Sequence, residues 1–421
     1  MGGLSGLAYD PNRDVYYALS DDRSQINPAR FYTTIIDLSD GSLDAGDVAF
    51  TDVTTLLDET GNPFPEASVD PEGIAFSSLG TLYIASEGDA NALIDPFVDQ
   101  FSLTGEQISS LPVPAAYLPT NNQTTGDQTS GIRNNLAFES LTITPDQRSL
   151  YTATENALFQ DGPAAGLEDE SLSRILKYDL ATGEVAAEFV YPVDAVPEEP
   201  IPADGFATNG LVELLAVDNN GTLLALERAF SVGQGNTVKL FEVNTQGALD
   251  VSGLDNLFRE DELEDEGEIL PPGPFEIDPA VTKREILDIE ADLGIAPDNL
   301  EALALGPVLE DGRQSLVVVS DNNFNAEDQF TQVLAFALDF DTTPAVLPVL
   351  ETPYTVDDDS LLEAAEPLDI LLVNDDGFES EGIEVMFDAL VEAGHNVTLV
   401  APQEQQSGQG TRISIDALFQ P

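Results

Sequence analysis

Cysteine is absent from this sequence, and histidine occurs once, as His395 near the C-terminus. No disulfide, thiolate nucleophile or cysteine-ligated zinc site is therefore available. Nothing before His395 can form a Ser-His-Asp triad, a phosphohistidine or a histidine-ligated zinc site. Basic residues are scarce too: 14 Lys and Arg face 78 Asp and Glu, for a formal net charge of −64. Such a chain repels nucleic-acid backbones and anionic lipid, so neither is expected as a partner. No run approaches the roughly 18 apolar residues of a membrane span. Met1 leads directly into a Gly-Gly-Leu-Ser run that reads as strand, with no signal peptide in view. A truncated N-terminus is the expectation.

What is present is a globular composition, 42% hydrophobic over 421 residues, long enough for two or three domains. Residues 1–340 read as β throughout, in short apolar or alternating runs parted by Gly, Asp, Asn and Pro. A hairpin recurs within them. Ser5-Gly-Leu-Ala-Tyr9 leads to Tyr16-Tyr-Ala-Leu-Ser-Asp-Asp22, and Glu72-Gly-Ile-Ala-Phe76 to Leu82-Tyr-Ile-Ala-Ser-Glu87-Gly-Asp89. Glu139-Ser-Leu-Thr-Ile143 leads to Leu150-Tyr-Thr-Ala-Thr-Glu155-Asn156. Glu213-Leu-Leu-Ala-Val217 leads to Leu223-Leu-Ala-Leu-Glu227-Arg228, and Glu301-Ala-Leu-Ala-Leu305 to Leu316-Val-Val-Val-Ser-Asp321-Asn-Asn323. Most hairpins are followed by two more strand-like runs. Four antiparallel strands at a recurring period predict the blades of a β-propeller, five visible and six possible. The last unit shows one further strand, so its ring-closing partner is expected upstream of Met1. A sandwich is the alternative fold.

Residues 341–367 change character. Pro344, Pro348, Pro353 and Pro367 punctuate an acidic stretch, which reads as a linker. From 368 to 421 the pattern becomes α/β: a strand at Ile370 to Val373, a helix at about Glu381 to Glu392, and a strand at Val397 to Val400. One such unit is too small for a core, so this Rossmann-like segment reads as truncated.

A hairpin brings its first and last residues to one sheet edge. Glu72 should therefore neighbour Glu87, Glu139 neighbour Glu155, Glu213 neighbour Glu227, and Glu301 neighbour Asp321. In a propeller those edges converge on one mouth of the channel, together with Asp21, Asp22, Asp89, Asn156 and Asn322. Carboxylates so placed need cations between them or raised pKa values, and oxygen-only ligands favour Ca²⁺ over zinc. The plainer reading is a solvated, salt-adapted surface. Arg23, Arg133 and Arg228 are rare cations near these motifs and candidates for gripping phosphate oxygens, with ordinary ion pairing as the alternative. In the second unit, Asn374-Asp375-Asp376-Gly377 directly follows a strand, where α/β folds place ligands. Adjacent aspartates there suit a Mg²⁺- or Mn²⁺-like ion.

Two resemblances sharpen this picture. Gly3-Leu-Ser-Gly-Leu-Ala-Tyr-Asp10, Leu19-Ser-Asp-Asp-Arg-Ser24, Asp70-Pro-Glu-Gly-Ile-Ala75, Asn134-Asn-Leu-Ala-Phe-Glu-Ser-Leu-Thr142, Asn209-Gly-Leu-Val-Glu-Leu-Leu-Ala216 and Ser320-Asp-Asn-Asn-Phe324 resemble the phytase-like esterase family over residues 1–340. Kinship to propeller phytases implies Ca²⁺ ions that bind phosphate and activate water. Carried over by position in the repeat, Glu72, Glu139, Glu213 and Arg228 become catalytic candidates. Glu72, Glu87, Glu139, Glu155, Glu213, Glu227, Glu301 and Asp321 become metal candidates, and Arg23 and Arg133 substrate contacts. The run Asp369-Ile-Leu-Leu-Val-Asn-Asp-Asp-Gly-Phe378, with Ala393-Gly-His-Asn-Val-Thr-Leu-Val-Ala-Pro402 and Ser407, resembles the opening of the SurE nucleotidase family. That likeness implies Asp375, Asp376 and Ser407 as ligands of Mg²⁺ or Mn²⁺, with Asp375 and Asp376 catalytic and Asn374 a substrate contact. His395 reads as structural. The family's fourth ligand, an asparagine from a later loop, would lie beyond Pro421. Together these readings imply a metal-dependent phosphohydrolase of small phosphomonoesters, extracellular or periplasmic, of open oligomeric state. The alternative is a Ca²⁺-stabilised binding or lactonase-like propeller with only the SurE part catalytic.

Overall fold

The computed structural model describes residues 2–257, 280–325, 327, 329–340, 369–373, 391, 396–400 and 413–417. The chain divides into two compact units, residues 1–339 with 414–421, and residues 340–413. The first holds five four-stranded sheets, each in simple sequential order. Blade one is β1 (Leu4–Asp10), β2 (Val15–Ser20), β3 (Arg30–Ile36) and β4 (Val48–Thr55). Blade two is β5 (Pro71–Ser77), β6 (Thr81–Ser86), β7 (Phe97–Ser102) and β8 (Gln107–Leu111). A small hairpin, β9 (Thr120–Asn121) with β10 (Gln128–Ser130), precedes blade three: β11 (Phe138–Ile143), β12 (Ser149–Thr154), β13 (Ser171–Asp179) and β14 (Glu184–Val193). Blade four is β15 (Ala207–Ala216), β16 (Thr222–Ser231), β17 (Gly235–Asn244) and β18 (Thr282–Asp288). A short helix, α1 (Ile289–Leu293), leads into blade five, which contains β19 (Asn299–Val308), β20 (Gln314–Asp321) and β21 (Val333–Phe340). In the other unit, β22 (Asp369–Val373) pairs in parallel with β23 (Asn396–Val400), as the α/β pattern predicts. The expected linker, and all of the expected helix except Val391, lie outside the described residues.

The first strands β1, β5, β11, β15 and β19 neighbour one another in a closed circle. Five blades therefore complete the ring, and the sixth allowed by the sequence is not there. The fourth strand of blade five, expected from upstream of Met1, is β24 (Ile413–Ala417). Ring closure rests on apolar packing rather than on a shared strand. Leu4, Leu7, Tyr16 and Tyr32 of blade one bury themselves against Ala302, Val317, Val319 and Ala335 of blade five.

Each blade is built from the same local logic. Leu82, Leu150, Leu223 and Leu316 take equivalent places on the second strands and are fully buried, each contributing roughly 2 kcal/mol. The hairpin turns at one end use polar caps: the Asp10 carboxylate accepts from the amides of Asn12 and Arg13, and Asp14 takes a left-handed φ of 53°. At the other end every first strand carries a register shift, at Leu4/Gly6, Pro71/Ile74, Phe138/Ser140, Leu211/Glu213 and Leu300/Ala302. Such bulges re-aim a side chain out of the pleat. They set the geometry of the mouth.

Candidate metal centre at the propeller mouth

The bulge lifts Glu72, Glu139 and Glu301 out of their ladders in blades two, three and five. Directly after the partner strand stands a second carboxylate. Ser20 pairs with Leu4, so Asp21 follows; Ser86 pairs with Pro71, so Glu87 follows. In the same way Thr154 precedes Glu155 and Ser320 precedes Asp321. Asp70, on the approach to β5, adds another.

The result is a dense acidic cluster. One carboxylate oxygen each from Asp70, Glu72 and Glu87 lies within 4.8 Å of the other two, and the same holds for Glu87, Glu139 and Glu155. Glu87 belongs to both triads. Its backbone amide donates to the Asp70 carbonyl at 3.0 Å and its carboxylate accepts from the Ala137 amide, which fixes it between blades two and three. Glu87, Glu155 and Asp321 are buried, while Glu72, Glu139 and Glu301 keep a partly exposed edge.

Burial is the largest cause of every shift in this cluster, and carboxylate repulsion adds to most. Asp21 is pushed up to about 8, with Asp321 and Glu301 the chief repelling neighbours. Glu87 is pushed up to about 8 by burial and Asp70. Asp70 rises to about 7 despite Arg23, and Glu155 to about 7 despite Arg228. Glu301 also rises to about 7, and Glu72 and Glu139 go well above the usual carboxylate range. Without counter-charge the cluster cannot ionise fully at neutral pH; a cation set between the carboxylates removes that conflict. The donor set fits a hard divalent ion. It is all oxygen, and Asp21 Oδ1 is buried with no hydrogen-bond partner.

Arginine reaches the cluster twice. Arg23 lies 3.4 Å from Asp70 and 3.1 Å from Asp89. Arg228 lies 2.7 Å from Glu301 and 4.0 Å from Glu155, with its Nε buried and unpartnered. Arg133 is elsewhere: it donates to the carbonyls of Ala157 and Gly162 and lies 5.3 Å from the centre of the Phe159 ring.

Glu213 and Glu227 do not stand where the sequence repeat puts them. Leu211 pairs with Glu227 and Glu213 with Leu226, so the bulged residue of blade four is Val212. Blade four is thus displaced by one residue from the written pattern. Val212 takes the place of Glu72, Glu139 and Glu301, and Arg228 that of Glu87, Glu155 and Asp321. Glu213 Oε1 accepts from the amides of Leu141 at 3.1 Å and Leu214 at 2.9 Å. Its other oxygen is buried without a partner, and burial alone pushes its pKa up, with no carboxylate among the causes. Glu227 is satisfied by Lys283, the Tyr191 hydroxyl at 2.8 Å and Asn209 at 3.0 Å. Asp22 accepts three loop amides and pairs with Arg30 at 2.7 Å. Asn156 bridges Asn209 and Ala165, and Asn322 caps a turn. Asp70 was not singled out as a ligand from sequence, although its place two residues before Glu72 on a strand approach was a usable signal. Asn374, Asp375, Asp376 and Ser407 lie outside the described residues.

The opposite mouth differs. A cavity of about 520 Å³ opens there between the five first strands, lined by Ala8, Phe76, Thr142, Leu215 and Leu305 among others. None of the described residues that line it is acidic or basic. A phosphate dianion would lose its hydration there without compensation.

Two family models match separate stretches of the chain. Residues 1–324 match the family model described as phytase-like, "esterase-like activity of phytase". Residues 370–420 match the model of the survival protein SurE. An uncharacterized secreted protein of Arthroderma benhamiae is 27% identical over 192 residues, covering 40% of this chain and 35% of that one. The 5'-nucleotidase SurE of Desulfovibrio desulfuricans is 44% identical over 54 residues, 13% of this chain and 20% of the enzyme. This chain thus spans about a third of the fungal relative's length and a fifth of the nucleotidase's. Among solved structures, Kuenenia stuttgartiensis hydrazine synthase covers 79% of this chain and 95% of its own at 12% identity and a TM-score of 0.30.

Proposed function

Because the chain belongs to the phytase-like family, we propose that its propeller is a metal-dependent hydrolase of small phosphomonoesters, working at the acidic mouth. The observation that carries this reading is the pair of carboxylate triads sharing Glu87. Asp70, Glu72 and Glu87 would hold one divalent cation and Glu87, Glu139 and Glu155 a second, with Ca²⁺ favoured by the flexible all-oxygen donor set. Bound cations supply Lewis acidity toward a phosphoryl oxygen and make a water nucleophilic near neutral pH.

The chain's own residues do the rest. Arg228 has a free Nε–H to donate to a phosphoryl oxygen, and Arg23 stands across the cluster on blade one. Glu301 and Glu155 orient the Arg228 guanidinium. The SurE-like segment would add a second phosphate-releasing site, with Asp375, Asp376 and Ser407 holding Mg²⁺ or Mn²⁺ and Asn374 contacting substrate. Similarity to a secreted protein supports an extracellular or periplasmic setting.

The test is phosphate release from nitrophenyl phosphate by the full chain, with calcium and after chelation. Glu72→Gln combined with Glu139→Gln should abolish calcium-dependent release while the circular dichroism spectrum stays unchanged. Release that survives in that variant would move the chemistry away from the propeller.

A further inference from the structure

Building on the hydrolase reading above, we propose that the acidic mouth selects phosphomonoesters of apolar alcohols, and that Phe324 is the side chain that holds the apolar part. The turn after β20 places two consecutive non-glycine residues in the left-handed region, Asn323 at φ 47° and Phe324 at φ 52°. Asparagine tolerates that conformation, whereas phenylalanine is strained in it. The surroundings impose it. The Asp321 carboxylate accepts from the Asn323 amide at 2.9 Å, and Asn322 Oδ1 accepts from the amides of Phe324 at 3.1 Å and Gly3 at 3.2 Å.

The strain sets the ring beside the acids. A Cβ on Gly2 would come within 3.2 Å of the Phe324 ring, and one on Gly3 would overlap both that ring and the Asp21 carboxylate. Ring and carboxylate therefore share the space that Gly3 leaves open. Phe324 is only half-buried. Stability alone would put glycine or asparagine in this turn and phenylalanine in the core. A strained, part-exposed aromatic held against a carboxylate by another member of the same cluster is a binding wall.

Charge points the same way. Among the described residues two cations contact the cluster, Arg23 and Arg228, and each is already shared between two carboxylates. One phosphate can be accommodated by them and by bound cations. Further phosphates on the same substrate would meet Asp21 and Asp321, which form no ion pair among the described residues.

The test is calorimetric binding of benzylphosphonate, methylphosphonate and inositol hexakisphosphate to the calcium-loaded full chain, which needs no turnover. Wild type should bind benzylphosphonate about tenfold more tightly than methylphosphonate, as expected for one aromatic contact. Phe324→Asn suits the left-handed turn and should fold at least as well, yet erase that preference while leaving methylphosphonate affinity unchanged. Phe324→Leu should keep most of the preference. Equal losses for both phosphonates in Phe324→Asn, or tightest binding of inositol hexakisphosphate by wild type, would overturn the proposal. Discriminating binding without phosphate release from phenyl phosphate would sink the hydrolase reading and leave this one standing.

Discussion

Arg228 lies 2.7 Å from Glu301 and fills, on blade four, the place that Glu87 and Glu155 fill on blades two and three. The ring of acids is thus broken once, by a cation. The guanidinium contacts Glu155 and Glu301; among the described residues no lysine or arginine forms an ion pair with Glu87 or Glu139. Arg228→Gln should therefore lower phosphate release by about 10²-fold, the usual loss for one charge-assisted contact made in the transition state. Calcium uptake should persist or rise in this variant, since a competing positive charge is gone. Steady-state kinetics and a calcium titration of the same preparation check both halves.

The pH dependence of stability follows from the raised carboxyls. Asp21, Asp70, Glu87, Glu155 and Glu301 hold protons up to about 7 or 8 in the folded chain. The unfolded chain releases them at about 4. Between those limits the folded state carries more protons, so stability falls as pH rises. Urea unfolding of the calcium-free protein should show a lower midpoint at about pH 8 than at about pH 5. Saturating calcium should remove or reverse that slope, because cations favour the ionised carboxylates. A calcium-free protein more stable at about pH 8 would refute the assignment.

Lys283 gives a contrasting case. Its ammonium contacts Asp194 at 2.7 Å and Glu227, and lies 4.2 Å from the centre of the Phe241 ring. Lys283→Met leaves Glu227 charged and buried, which typically costs about 3 kcal/mol. The melting temperature should drop while calcium stoichiometry stays at the wild-type value. A change in calcium binding here would mean that Glu227 communicates with the mouth.

Much of this architecture was legible in the sequence, and the failure is as instructive as the success. Hairpins beginning Glu72-Gly-Ile, Glu139-Ser-Leu and Glu301-Ala-Leu announce both the blade and the edge at which its acids meet. The same pattern written from Glu213 is one residue out. The bulge consumes an extra position, and on blade four that position is Val212. Side chains alternate faces along a strand, so a slip of one moved Glu213 into a neighbouring blade's backbone and Glu227 toward Lys283. Periodicity cannot show a bulge, and in blade four glutamates flank the true site on both strands. The blade count was open for a similar reason. Closure by Leu7 and Tyr16 against Ala302 and Val317 is packing between distant segments, which leaves no local mark.

The account depends on cations held by the two triads through Glu87. The most direct measurement is calcium calorimetry on the full chain and its Glu87→Gln and Glu213→Gln variants. Glu213 lies outside both triads, so its variant should bind calcium as wild type does. Glu87→Gln should lose both mouth sites together, because the shared carboxylate serves each. No calcium-binding heat in wild type, or equal binding by all three proteins, would contradict the account.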